Sequence, residues 1–300
     1  MKRLIALALI SCLFTTSVSA VPAEKIEDVG WLFGGIHVDM NQSSEVSSDL
    51  TDLNPIAEDY TATWCSNCIP VEHALENVSV QSKELNIFSF HRYIGESEDP
   101  FGSEALDLRW EERYEQRLAP TVVMHGKIKK MGAVADSDSL EADFLAMAED
   151  GPDLSQGTTS LQWNNSTMKA TWSINYDEAI LEGGNLTSQL WIVEKSSRFE
   201  DGSNGEVDYP HIVRAIYDLG EGSQGEFTIP SIQAYDGDDL ILYLVHSTIP
   251  VVVEEPADNN STNEEKPTDE KSKDDDDGLP GFSLMLAISA ISLAAILRRP

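Results

Sequence analysis

An α/β domain over residues 52–150, followed by an antiparallel β-sandwich over residues 159–251, is the architecture that the sequence of this 300-residue chain predicts. Three observations carry it. From Pro55 onward, strand-like and helix-like segments alternate, the pattern of a layered α/β domain. A stretch rich in Gly, Pro, Asp and Ser at residues 151–158 then interrupts the periodicity. Beyond it come only short alternating runs divided by turn formers, with no helical spacing.

Residues 1–20 have the layout of a secretory signal peptide. Lys2 and Arg3 precede an apolar run, and Ser17-Val18-Ser19-Ala20 supplies the small residues of a cleavage site. Export places the rest of the chain outside the cytoplasmic membrane, where disulfides persist. Residues 21–51 form an N-terminal extension ahead of the first domain.

In that domain, residues 56–61 read as a strand. Residues 69–84 read as a helix, with Val71, Leu75 and Val78 on one face. A second strand covers 86–93 and a second helix 103–117. A third strand covers 121–125, a short strand lies near Met131, and a last helix covers 139–149. The acidic stretch 95–102 falls in a loop and suits a solvated face. Between the first strand and the first helix stands Thr63-Trp64-Cys65-Ser66-Asn67-Cys68. The chain has three cysteines, and Cys12 belongs to the signal peptide, so Cys65 and Cys68 are the pair of the exported protein. Two cysteines three apart at a strand-to-helix junction suit a redox-active dithiol.

Asp59, Trp64, Cys65, Cys68 and Pro120 together resemble the thioredoxin superfamily. The Glu58-to-Cys68 run is most similar to exported thioredoxin-like proteins of the outer-membrane-protein-28 family, over about residues 52–150. The resemblance implies an α/β thioredoxin-like domain and a role for each residue. Cys65 is the nucleophile, favoured as thiolate by the helix N-terminus, and Cys68 resolves the mixed disulfide. Trp64 shields the pair. Pro120, cis in the family, sets its neighbouring backbone against Cys65 for an extended substrate. Asp59 stands where the family has a buried acid able to exchange a proton with Cys68. The Ser66-Asn67 dipeptide departs from familiar members and leaves the direction of electron flow open. A purely structural Cys65–Cys68 disulfide remains an alternative, as does metal binding with His73, His91 and His125, although no second cysteine pair is present.

After the linker, strands are expected at 159–163, 168–176, 189–195, 211–219, 226–229 and 240–245. No catalytic constellation stands out among them. His211 and Arg214, three apart in one strand, point to opposite faces. The sandwich reads as a spacer or recognition module.

Residues 252–278 form an acidic stalk that cannot bury apolar surface. Residues 279–297 are uncharged and long enough to span a bilayer, with Arg298 and Arg299 following. The tail, with Pro280-Gly281-Phe282, resembles the archaeal PGF-CTERM sorting signal. That resemblance implies processing to a lipid anchor; unprocessed, the helix itself anchors the chain. Residues 254–277 carry eleven acids and three lysines, only −8 of the net charge of −32. The folded part is therefore acidic too, which argues against nucleic acid as a partner. The expected function is that of a membrane-tethered thiol-disulfide oxidoreductase at the archaeal cell surface. Its partners are exported proteins with disulfides or thiols and a redox partner the sequence does not name. It needs no cofactor. The alternative is a non-catalytic surface protein with a structural disulfide.

Overall fold

The structure is a computed structural model that describes residues 20–94, 99–181 and 184–250. The signal peptide short of Ala20, the acidic stalk and the C-terminal apolar helix lie outside the described residues. Among the described residues no helix is long and apolar enough to cross a membrane.

Thirteen strands and three α-helices are described, in this order: β1 (Glu24–Lys25), β2 (Leu32–Asp39), β3 (Ser44–Asp49), β4 (Ile56–Thr61), α1 (Ile69–Gln81), β5 (Asn86–His91), α2 (Glu104–Tyr114), β6 (Thr121–Met124), β7 (Ile128–Met131), α3 (Leu140–Glu149), β8 (Thr158–Asn164), β9 (Lys169–Asn175), β10 (Asn185–Arg198), β11 (Asp208–Glu221), β12 (Gln224–Thr228) and β13 (Leu240–Ile249). They form a nine-stranded sheet, β1-β7-β6-β4-β5-β11-β10-β13-β2, and a four-stranded sheet, β12-β9-β8-β3.

This corrects the expected fold class. The molecule is mostly β, and an α/β thioredoxin-like domain followed by a separate sandwich does not describe it. Strand β11 pairs in parallel with β5 through Ile212 and Ser89, so one sheet continues from the cysteine-bearing segment into the chain beyond the linker. The reason is apolar surface. Strand β13 is buried along nearly its whole length, so it needs cover on both faces. Its Leu240, Leu242 and Leu244 pack with Phe33, Ile192, Trp163 and Trp172 between the two sheets. Its Ile241, Tyr243 and Val245 turn the other way and join Trp191, Val193 and Val213 with Tyr60, Phe88, Phe90, Trp110 and Tyr114. That second layer runs across the expected boundary, and α2 lies over it. A self-contained sandwich would leave it in water. Residues 21–51 also belong to the body, since β2 closes one edge of the large sheet and β3 one edge of the small one.

The local elements follow from the sequence as physical chemistry requires. Helix α1 carries Pro70 in its first turn, where no N–H is needed. It buries Val71, Ala74, Leu75 and Val78, the stripe spaced 3.6 residues apart, against Ala57, Ile87, Val122 and Phe144. Helices α2 and α3 start at Ser103 and Ser139, whose side chains accept from the backbone N–H of Leu106 and Ala142. Strand β4 is wholly buried although it holds Glu58 and Asp59. Glu58 faces α2, where Arg109 Nη1 stands 2.7 Å from it and Tyr114 donates to it. Burial with a partner is the usual condition for such a charge. Asp59, on the opposite face, has none.

Candidate active site

The loop between β4 and α1 places the two cysteines at the helix start, with Cys68 as the residue preceding α1. They form a disulfide whose Cα atoms are 5.4 Å apart. Cys65 N–H donates to Ala62 O and Cys68 N–H to Cys65 O, a tight turn that carries the chain from β4 into α1, where Cys68 O accepts from the N–H groups of Val71 and Glu72. Cys65 is 7% exposed and Cys68 is fully buried, so Cys65 is the one of the pair that solvent reaches. Ala62, Trp64 and Ala119 pack against the sulfurs. The Ala119–Pro120 peptide is cis and precedes β6, which brings this backbone beside the dithiol. The Trp64 indole Nε1 is buried without an acceptor.

Asp59 lies behind this layer on β4, 1% exposed, and neither carboxylate oxygen has a hydrogen-bond partner. Burial pushes its carboxyl well above the usual carboxylate range, and the nearby Glu72 and Glu76 push it further. These two glutamates occupy the first and second turns of α1, so Asp59 sits under the start of the helix whose N-terminus carries Cys68. Glu72 accepts a hydrogen bond from Thr61 Oγ1, and burial outweighs that bond and raises its carboxyl too. Glu76 behaves oppositely. His211 Nε2 lies 2.7 Å from its Oε1, and this hydrogen bond holds the carboxyl below its ordinary range.

Between these groups lies a cavity of about 140 Å³, lined by β4, β5, α1 and β11. The chain beyond the linker therefore builds part of the surroundings of the dithiol. It also clamps the cysteine loop. Asn204 N–H donates to Thr63 O at 3.0 Å, and its Nδ2 donates to Ala62 O at 3.4 Å. Tyr209 donates to Asn204 Oδ1 and packs against Phe101 and His91. From the other side, Asp99 accepts from Thr63 N–H at 2.9 Å and contacts His91 Nδ1 at 2.9 Å. Asp99 belongs to the acidic stretch expected to be a solvated face, yet it is buried, because it terminates backbone and imidazole donors there.

The structure thus brings Trp64, Cys65 and Cys68 to one place with Ala119 beside them, and Asp59 to the cavity behind. Of the three histidines considered as metal partners, His73 and His91 line that cavity. His125 lies elsewhere, with its Nε2 against Ala148 O. Among the described residues no three His, Cys, Asp or Glu side chains converge on a metal position. Sequence reasoning did not find Glu72, Glu76 and Asn204, and it named His211 only to set it aside. The two glutamates share a helix face one turn apart, a readable spacing. The other two depend on β11 lying next to β5, and nothing local announces that.

Neither a protein-family model nor a curated protein sequence matches the chain. Among solved structures it is similar to protein AGR_C_4864 from Agrobacterium tumefaciens, at 15% identity and a TM-score of 0.43, over 67% of this chain and 97% of that one. It is also similar to HBP35 of Porphyromonas gingivalis, at 12% identity and a TM-score of 0.42, over 69% of this chain and 80% of that one. Likeness of this degree carries no argument about fold or chemistry.

Proposed function

We propose that the chain is an exported, membrane-tethered thiol-disulfide oxidoreductase that exchanges disulfides with other exported proteins through Cys65 and Cys68. The observation that carries this reading is a disulfide at the start of α1 backed by a buried, unpartnered carboxyl group, Asp59. A carboxyl whose proton affinity is raised by burial is a poor stabiliser of a fold, and its carboxylate form is a strong proton acceptor. Its neighbour in chemistry is Cys68, the buried thiol that must lose a proton to react.

In the proposed cycle the Cys65 thiolate, favoured by the helix dipole, attacks a partner disulfide. Cys68 then gives its proton to Asp59 and displaces the partner from Cys65. Trp64 and the cis-proline backbone at Ala119 form the apolar and polar flanks against which an extended partner segment lies. Secretion and tethering rest on the signal peptide and on the acidic stalk with its apolar helix.

One observation favours a second reading, a structural disulfide in a non-catalytic surface protein: both cysteines are largely buried. Turnover separates the two. The purified chain is expected to reduce or oxidise a protein disulfide catalytically, and Cys65→Ser is expected to abolish this while keeping the fold. Activity that survives Cys65→Ser defeats the assignment.

A further inference from the structure

The cavity between Asp59 and the first two turns of α1 is lined mainly by ionisable groups. From β4 it receives Asp59. From α1 come Glu72, His73 and Glu76, and from β5 comes His91, which is held by Asp99. From β11 and the turn before it come Glu206, Asp208, Tyr209 and His211. The deepest of these, Asp59, is the one without a partner. At the outer end Glu76 and His211 are both partly exposed and hydrogen-bonded to each other at 2.7 Å. At about 30 Å³ per liquid water, 140 Å³ has room for about four waters among polar partners.

His211 is placed there deliberately. Its φ is +58°, left-handed backbone inside a strand, where residues with a side chain are uncommon. Backbone held in that region marks a constraint the surroundings impose. Here it sets the imidazole against α1, across 135 residues of sequence.

We propose that this cavity is the proton port of the dithiol, in which Glu72, Glu76 and His211 relay protons between Asp59 and solvent. The inference rests on the redox reading above and adds residues to it. The step balances as follows. A partner disulfide is the oxidant, and Cys65 holds it as a mixed disulfide. Cys68 Sγ–H loses its proton to the Asp59 carboxylate, and the thiolate attacks Cys65 Sγ. The Cys65–Cys68 bond forms, the bond from Cys65 to the partner breaks, and the partner leaves as a thiolate that takes a proton from solvent. The dithiol is oxidised by two electrons and the partner disulfide is reduced by two. Asp59 then holds a proton that a sealed interior cannot release. It passes through the cavity to Glu72 and Glu76, and His211 at the mouth delivers it outward. The reverse reaction uses the same route inward.

The test uses the full chain with Glu76→Gln and His211→Asn, Asn being tolerant of the left-handed backbone. The two side chains are partly exposed, so both variants are expected to fold; His211→Gln replaces the second if circular dichroism shows that it does not. The protonated Asp59 carboxyl is followed by infrared absorption against pH, assigned by its loss in Asp59→Asn. In parallel, the resolution of a mixed disulfide with glutathione is timed by stopped flow. Loss of the Glu76 charge is expected to lower the Asp59 midpoint, and loss of the His211 hydrogen bond, which lets the Glu76 carboxyl rise and neutralise more readily, to shift it in the same direction by less. Resolution is expected to slow at least five-fold in both, with formation of the mixed disulfide unchanged. A midpoint and a resolution rate that stay at wild-type values in both variants overturn the relay. If the midpoints move as expected but the wild type never exchanges with glutathione disulfide, the oxidoreductase reading falls and the relay falls with it. The two failures are therefore told apart by whether wild-type exchange occurs.

Discussion

Two buried ionisable residues, Asp59 and His246, sit in one body under opposite demands. Asp59 is unpartnered and faces a cavity, while His246 is fully satisfied between the two sheets. Its Nε2 lies 2.9 Å from Thr159 Oγ1 and its Nδ1 lies 2.8 Å from Ser188 Oγ. Burial alone pushes its imidazole down from 6.5 to about 3. The sign of the linkage follows. The folded state binds the proton more weakly than the unfolded chain, so the stabilising contribution is complete above about pH 6.5. It is lost progressively as pH falls toward 3. At 1.36 kcal/mol per unit the full loss is roughly 5 kcal/mol, a large share of a typical domain's stability. Urea unfolding between pH 7 and pH 4 is expected to show this decline, and His246→Gln, which keeps a donor and an acceptor, is expected to flatten it. Equal slopes for the two proteins would remove His246 as the cause. A lone histidine in an apolar strand offers no hint in sequence of which hydroxyls it bridges, because Thr159 is 87 positions away.

Strand β11 decides how the elements combine. With β10 and β13 it supplies Trp191, Val193, Val213, Ile241, Tyr243 and Val245 to the layer under α2. At roughly 1.5–3 kcal/mol for each buried side chain, losing them removes as much as the net stability of a domain. The fragment 20–150 is therefore expected to show no cooperative urea transition and no fixed near-ultraviolet dichroism. A cooperative transition in that fragment would restore the picture of a free-standing first domain. The elements themselves were largely legible. The Val71, Leu75 and Val78 spacing located α1, and runs of alternating residues located β4, β5, β8 and β9. Their assembly was not, for three physical reasons. Parallel pairing of β5 with β11 joins segments 123 residues apart at Ser89 and Ile212, with no turn to signal it. Strand β10 continues through Ser196, Ser197 and Arg198, polar residues that a hydrophobic pattern trims away. An acid such as Asp99 reads as solvated whether or not backbone donors wait for it. The cysteine pair, by contrast, was legible because spacing alone sets its turn, whereas His211 required the whole sheet.

Across the molecule, one apolar layer and one acidic surface define the setting of the dithiol. The layer fuses the chain on both sides of residues 151–158 into one sheet, and the part beyond contributes Asn204 and His211 to the cysteine loop and its cavity. The acidic excess, of which residues 254–277 carry only −8 of −32, favours solubility of this body and repels anionic partners. What remains is whether this arrangement poises the disulfide for exchange or simply protects it. Burial of Cys68 and the clamps on Thr63 suit either outcome, and the buried, unpartnered Asp59 is the feature on which the proposed exchange reading rests. The equilibrium reduction potential of Cys65–Cys68, measured against glutathione or dithiothreitol buffers, decides it. Structural disulfides of exported proteins lie below about −300 mV. A value above that line is the result expected of a working dithiol. A value below it, with Cys65 inert toward partner disulfides, would contradict the redox reading and leave the pair as a structural link.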